Sequence, residues 1–467
     1  MEAEPPASAP TGCLRPFFVA ACLFPLHICV GSIYGQSAGM LPQLLEKGSS
    51  IPIDRDQATW IASAPTLGAC LASAISGTLS DVFGRMRVVR LSFFCMALGY
   101  AVMVAAESFM LIVLGRFLAG AGIGCNFPSF VYVSETAPPA YRGLFLSLNA
   151  LMSSLGLVYI YSLGGYFPWV YAAGATCLMA TAGLVLTFFL HDSPAWLVRN
   201  GKLEAAQKSL RRIEVNEATV EIKLKELQET AKNEPTSSFN LRIFIEPTVW
   251  KPFMQVLAMS VLQNIAGFYI VIYYTVQFMS EFHSRIGPLE VTVLIAVVRL
   301  VGISVASAWM RHAGRKFIGA FSGFSTAVVL LAIYAILKLG DRVKFLAENN
   351  WILIALFLVY VLTMTLGIFP MPWTMPYEMF PIKIRGMMCG VCFCAMHVVM
   401  FVSVKLYNVL LDNLELDGMI LLFAAGAALF GVFSASMLVE THRRTLDEIE
   451  AVFAGRPIVT PPQKQKT

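Results

Sequence analysis

Stretches of about twenty apolar residues, the length that crosses a hydrocarbon core as a helix, recur from one end of this sequence to the other. Inside a bilayer the backbone must satisfy its own hydrogen bonds, so such stretches are expected to be helices. Twelve are predicted, starting near Phe17, Trp60, Val89, Phe109, Phe145, Trp169, Phe253, Val291, Phe317, Trp351, Met387 and Gly418. Composition points the same way: of 467 residues, 57% are hydrophobic and 13% charged, against roughly 45–50% and about 25% in soluble domains. The expected fold class is an all-α membrane protein. No polar stretch is long enough to fold a separate catalytic domain, so no enzyme chemistry is expected.

Charge sets the expected orientation. Arg85, Arg87 and Arg90 fall between the second and third spans, Arg142 between the fourth and fifth, Arg311, Arg315 and Lys316 between the eighth and ninth, and Lys383 and Arg385 after the tenth. Loops on the other side are poorer in Lys and Arg or balance them with acids, which predicts both termini in the cytosol. The first span follows "MEAEPPASAPTG", without the basic flank or small-residue cleavage site of a leader peptide, and is read as retained. A net charge of +5 reflects this asymmetry and gives no reason to expect a nucleic-acid partner. Of ten cysteines, all but Cys13 fall in or beside apolar spans, where they pack as small soft hydrophobes. The trio Cys389, Cys392 and Cys394 lacks the further ligands a metal site needs, and no cofactor is expected.

The longest polar stretch divides the chain. Residues 1–15 form an expected tail, 16–190 a six-helix bundle, 191–250 a linker with short surface helices, 251–440 a second six-helix bundle, and 441–467 a second tail. The halves repeat each other. "DVFGRMR" after the second span matches "RHAGRKF" after the eighth, and "SETAPPAYRG" after the fourth matches "YEMFPIKIRG" after the tenth. Parallel repeats of six spans describe a carrier whose bundles rock about a central site. Glu135, Arg142, Glu378 and Arg385, with Asp81, Arg85, Arg116 and Arg315, are the candidate latch, joining the bundles by ion pairs at the cytosolic face.

A binding site for a polyhydroxylated solute needs amide and hydroxyl groups in an apolar cavity, with an aromatic platform. The seventh span supplies Gln263, Asn264, Tyr269, Tyr273 and Tyr274, with positions 263, 267, 270 and 274 on one face of a helix. The alternative is that the amides only join helices. In the tenth span, the prolines of "GIFPMPWTMP" break the helix beside Trp373, which serves either the site or the membrane interface. Arg299 lies near the centre of the eighth span with no carboxylate at similar depth. A charge there costs at least ~2.5–3.5 kcal/mol on insertion scales. It either snorkels to the surface, braces helices by bonding carbonyls, or meets the solute.

"GRFLAGAGIG", "SETAPPAYRG", "HDSPAWL", "FPMPWTMPYEMFPIKIRG" and "ETHRRTLDEIE", in this order, resemble the signature set of the sugar porters of the major facilitator superfamily. "QATWIASAPTLGA" is similar to the insect-type facilitated trehalose transporters. The resemblance implies two six-helix bundles and facilitated sugar transport. It places Gln263 and Asn264 where sugar porters carry paired glutamines, Tyr269 at an asparagine position, Trp373 at the tryptophan of the site, and Arg299 where some carriers have an asparagine. Ala150 replaces a sugar-contacting glutamine, and "MHVVMF" replaces a more polar stretch. The first-span carboxylate of the proton symporters is missing, leaving only His27 to titrate there. The expected function is uniport of a hexose or trehalose-like disaccharide by a monomer in the plasma membrane. The alternatives are a carrier of another small organic solute, anionic ones included, held by Arg299, and a transport-silent sensor or scaffold.

Overall fold

The computed structural model describes residues 14–137, 142–214, 216–233, 245–280, 287–339, 351–381 and 384–456. Lys383, the leader and the side chain of Arg142 lie outside the described residues. Among those described, every regular element is a helix. The first half contains α1 (Leu14–Ala21), α2 (Phe24–Leu45), α3 (Arg55–Phe83), α4 (Arg85–Val104), α5 (Phe109–Gly124), α6 (Phe127–Thr136), α7 (Arg142–Tyr166) and α8 (Trp169–Thr187). The polar linker forms α9 (Pro194–Arg199), α10 (Leu203–Ile213) and α11 (Glu217–Asn233). The second half contains α12 (Pro247–Ile265), α13 (Phe268–Tyr273), α14 (Thr275–Ser280), α15 (Pro288–Trp309), α16 (Arg315–Leu339), α17 (Trp351–Leu366), α18 (Pro370–Met379), α19 (Arg385–Lys405) and α20 (Tyr407–Ser436), and α21 (Leu446–Ala454) follows.

Among the described residues, eleven segments are long and apolar enough to cross a membrane, with α1–α2, α5–α6 and α17–α18 each running on as one. The remaining expected span, the seventh, is divided into α12, α13 and α14. Gly267 causes the first break: it takes φ +86, and a Cβ there would lie 2.5 Å from the Phe423 ring. That conformation favours glycine, the one residue without a Cβ to clash. A second interruption falls at Tyr274 (φ −120, ψ 23). Positions 263, 267, 270 and 274 therefore do not form one continuous helical face as the periodicity predicts. The tenth span breaks between α17 and α18 at residues 367–369, just before the first proline.

Packing carries the repeat into three dimensions. In the first half the first span packs on the fifth, the second on the fourth, and the third on the fourth and sixth; the second half pairs the seventh with the eleventh, the eighth with the tenth, and the ninth with the tenth and twelfth. Small residues permit the closest crossings. A Cβ on Gly31 would sit 1.8 Å from the carbonyl oxygen of Ser153, and one on Gly120 would sit 2.0 Å from that of Pro65. The two bundles meet where α3 lies on α19 and α7 on α15. Along the first seam Cys70 and Cys394 bring their Sγ atoms to 3.4 Å.

Each half also closes on itself with an acid placed just after its last span. Asp192 Oδ1 accepts the backbone N–H of Arg85 at 2.9 Å and of Met86 at 3.3 Å, at the start of α4. Glu440 accepts those of Arg315 at 2.8 Å and Lys316 at 3.1 Å, at the start of α16. A carboxylate at a helix N-terminus satisfies free N–H groups and meets the positive end of the dipole. Burial alone would raise the Glu440 carboxyl. The N–H groups of His442, Arg315 and Lys316 and the charge of Arg315 outweigh it and hold the group below its usual range.

Candidate functional site

The two broken spans bring the central side chains together. At the α12–α13 break, Gln263 is fully buried and its Nε2 donates to the carbonyl oxygens of Ile368 at 2.8 Å and Phe369 at 3.0 Å, the carbonyls freed by the break in the tenth span. Its Oε1 has no partner among the described residues. Asn264 donates from Nδ2 to Ser260 on its own helix at 2.8 Å and leaves Oδ1 unmatched. Tyr269 accepts a 2.9 Å hydrogen bond from Trp373 Nε1, and its ring lies 6.3 Å from that of Tyr34 in the first span. Trp373 stacks on Phe393 at 5.4 Å and meets His397 edge to face at 5.7 Å.

Arg299 enters this group from α15. It is 4% exposed, which removes the snorkelling alternative. Its guanidinium carbon lies 4.5 Å from the ring centre of Phe369 and 5.2 Å from that of Phe268, and those two rings stack at 4.6 Å. Cation–π contacts are worth roughly 0.5–2 kcal/mol each, so two faces offset most of an insertion cost of about 3 kcal/mol. Nε and Nη1 find no acceptor among the described residues, so the alternative of bracing by carbonyls is not made through them. No described carboxylate lies within ion-pair distance.

Other candidates fall elsewhere. Tyr274 donates to the carbonyl of Val404 at 3.1 Å and stacks on Tyr407 at 4.0 Å, so it is spent on the contact with α19 and α20. Arg116 is wholly buried inside the first bundle, donating to the carbonyls of Ile33 and Ile61 and to Ser37 Oγ. The charges expected to pair across the bundles pair within them. Arg85 meets Asp81 at 2.7 Å and Glu135 at 3.4 Å, and Arg315 meets Glu378 through Nη2 at 2.8 Å and Nε at 3.1 Å. The reason lies in the packing: Asp81 and Arg85 are four residues apart, and α6, which ends beside Glu135, lies on α4 in the same bundle. Arg385 donates to the carbonyl of Phe380 and leaves Nη2 unmatched.

Both ends of the site are closed. On the face away from the linker, Lys405 reaches Asp56 Oδ1 at 2.8 Å and Thr59 Oγ1 at 2.7 Å, while Asn408 donates to the Arg55 carbonyl at 2.8 Å. Toward the linker face, Phe127 stacks on Tyr377 at 5.8 Å. Beside Arg299 lies a void of about 20 Å³, room for about one water molecule. Tyr161 crosses between bundles here, donating to the carbonyl of Ile272 at 2.7 Å.

Two residues at this depth, and a third about three turns away along α7 toward the linker face, escaped the sequence reading. Tyr34 and Tyr161 come from the other bundle, and nothing local announces them. Asn149 is fully buried with both amide atoms unmatched. It directly precedes Ala150, so polarity at this level of the fifth span is displaced by one position rather than lost.

Comparison with known proteins places this geometry in context. Residues 32–453 match the family model described as sugar (and other) transporter. A facilitated trehalose transporter, Tret1 of Drosophila willistoni, is 28% identical over 414 residues, covering 87% of this chain and 47% of that protein. The chain thus spans about half the length of such relatives. The mouse solute carrier family 2, facilitated glucose transporter member 8, is 26% identical over 474 residues, covering 97% of each. Among solved structures, the xylose transporter XylE of E. coli in a partially occluded inward-open conformation superimposes with a TM-score of 0.76 at 17% identity, covering 92% of this chain and 99% of that one. XylE bound to 6-bromo-6-deoxy-D-glucose gives 0.74 at 19% identity, covering 94% and 99%.

Proposed function

We propose that this chain, which belongs to the sugar (and other) transporter family, carries a hexose or a trehalose-like disaccharide across a bilayer by alternating access and as a uniporter. The observation that carries this reading is the central group itself. Gln263, Asn264 and Arg299 hold two acceptors and two donors without partners beside the Trp373 indole, the Tyr269 hydroxyl and stacked phenyl rings. Unmatched polar atoms in an apolar setting cost free energy, and a ring of hydroxyls with an apolar C–H face satisfies both kinds of surface. A guanidinium has only donors and can give them to neutral hydroxyls as well as, more strongly, to anions. The relatives' names support the same cargo.

Uniport is supported by the first span. It carries no carboxylate, and His27 is packed against Phe130 and Ser129. The linker face is cytosolic in this reading, the membrane is the plasma membrane, and one chain is the working unit. The ion pairs at that face, Arg85 with Asp81 and Glu135 and Arg315 with Glu378, hold the helix ends of each bundle while the aromatic contact at Phe127 parts. No bond-making step is assigned.

The test is uptake of radiolabelled trehalose and hexoses by purified protein in liposomes, with Trp373→Ala and Gln263→Ala alongside. Each variant should weaken apparent affinity by roughly 5- to 100-fold, the equivalent of ~1–3 kcal/mol for a buried polar contact. Unchanged uptake constants at equal reconstitution would reject the site, and no uptake of any sugar by the wild type would reject the function.

A further inference from the structure

A second cavity lies away from the central site. A pocket of about 510 Å³ opens on the linker face between α1, α6, the end of α8 and α10, a size typical of ligand cavities. One wall is apolar. It includes Phe18 and Phe189, which are 63% and 64% exposed at the ends of membrane-spanning helices. The other wall carries Arg15, Arg211, Arg212 and His191.

These cations are fixed in place. Arg15 Nη1 donates to the carbonyls of Arg211 at 3.2 Å and Glu214 at 2.8 Å, and Arg212 Nη1 donates to that of Phe189 at 2.5 Å. Arg211 is neutralised by Glu217. Among the described residues no carboxylate comes within ion-pair distance of Arg15 or Arg212. The excess of positive charge is felt by His191: burial, then Arg212, Lys208 and Arg90, depress its affinity for a proton.

We propose that this pocket binds a phosphomonoester, supplied by the headgroup of an anionic phospholipid whose acyl chains continue along the apolar wall. Arginine forks match phosphate oxygens, and basic pockets at a cytosolic membrane surface attract such headgroups. Bound there, the lipid joins α10 of the linker to α1 and α8 of the first bundle. The lipid source rests on the cytosolic reading of the linker face, whereas the phosphate chemistry does not.

The experiment uses full-length protein in detergent, with native mass spectrometry to count retained lipid and thermal unfolding as a second readout. The probes are phosphatidylinositol 4-phosphate, phosphatidylcholine and soluble inositol 1,4,5-trisphosphate. The phosphoinositide should be retained over phosphatidylcholine and raise the unfolding midpoint. Arg15→Gln and Arg212→Gln should each weaken retention roughly tenfold or more, with Arg212→Lys restoring part of it. Both arginines also brace α10, Arg15 through two carbonyls and Arg212 through one, so each variant is compared with its own lipid-free unfolding midpoint and Arg212→Gln, the lesser loss, is the deciding variant. Equal retention of the two lipids, or equal phosphoinositide retention by wild type and Arg212→Gln, would overturn the proposal. Soluble trisphosphate binding as tightly as the lipid would overturn the lipid source and leave a site for a free anion. Sugar uptake enters none of these readings, so this proposal and the transport proposal fail separately.

Discussion

Arg299 lies against two phenyl faces while its Nε and Nη1 find no acceptor among the described residues, so its removal should be cheap for the fold and consequential for the cargo. Arg299→Gln discards a buried charge and keeps an amide, and is expected to reach wild-type expression and thermal stability while changing which solutes compete for uptake. A variant that expresses poorly yet keeps its selectivity would make the side chain a structural prop instead. The charge and its depth were legible in the sequence. Its surroundings were not, because Phe268 and Phe369 flank breaks in two different spans and no local pattern joins them. Gln263 and Trp373 were also readable as residue types in apolar runs. Their use of freed carbonyls and of the Tyr269 hydroxyl depends on how the broken ends meet.

At the level of elements, hydropathy located the spans, and prolines announced the break in the tenth. The break in the seventh rests on one glycine, a common residue inside membrane helices, and periodicity carried the prediction straight through it. Gly267→Ala tests the cause. Alanine at φ +86 costs roughly 1–2 kcal/mol in conformation, and moving the Phe423 ring adds about 1–3 kcal/mol of overpacking, so the unfolding midpoint should fall clearly. Gly201, at φ +71 with open space around it, supplies the control, since Gly201→Ala bears the conformational cost alone. Equal midpoints for the two variants would remove the phenyl clash from the account. The acids after each sixth span were visible within quoted motifs, but the helix starts they cap, α4 and α16, lie far away in the chain.

For the whole molecule, the duplicated motifs foretold two like bundles, while the seams between them were not readable because they join residues from over one hundred to over three hundred positions apart. Cys70 and Cys394 mark one of these seams, with their sulfurs 3.4 Å apart. Copper–phenanthroline oxidation should join them into a disulfide and stop uptake, dithiothreitol should restore it, and Cys70→Ser should be insensitive. Uptake that continues with the crosslink complete would show that the bundles part elsewhere. The same closed arrangement bears on leakage. With Lys405 bonded across one face, Phe127 stacked on Tyr377 toward the other and a void of about 20 Å³ beside Arg299, the described arrangement leaves little room at Arg299 for a column of water along which protons could hop. The guanidinium beside that void repels hydronium and sodium alike, as fixed cations do in water-selective pores. In the proposed transport cycle, a turnover would then admit a sugar without short-circuiting ion gradients across the bilayer.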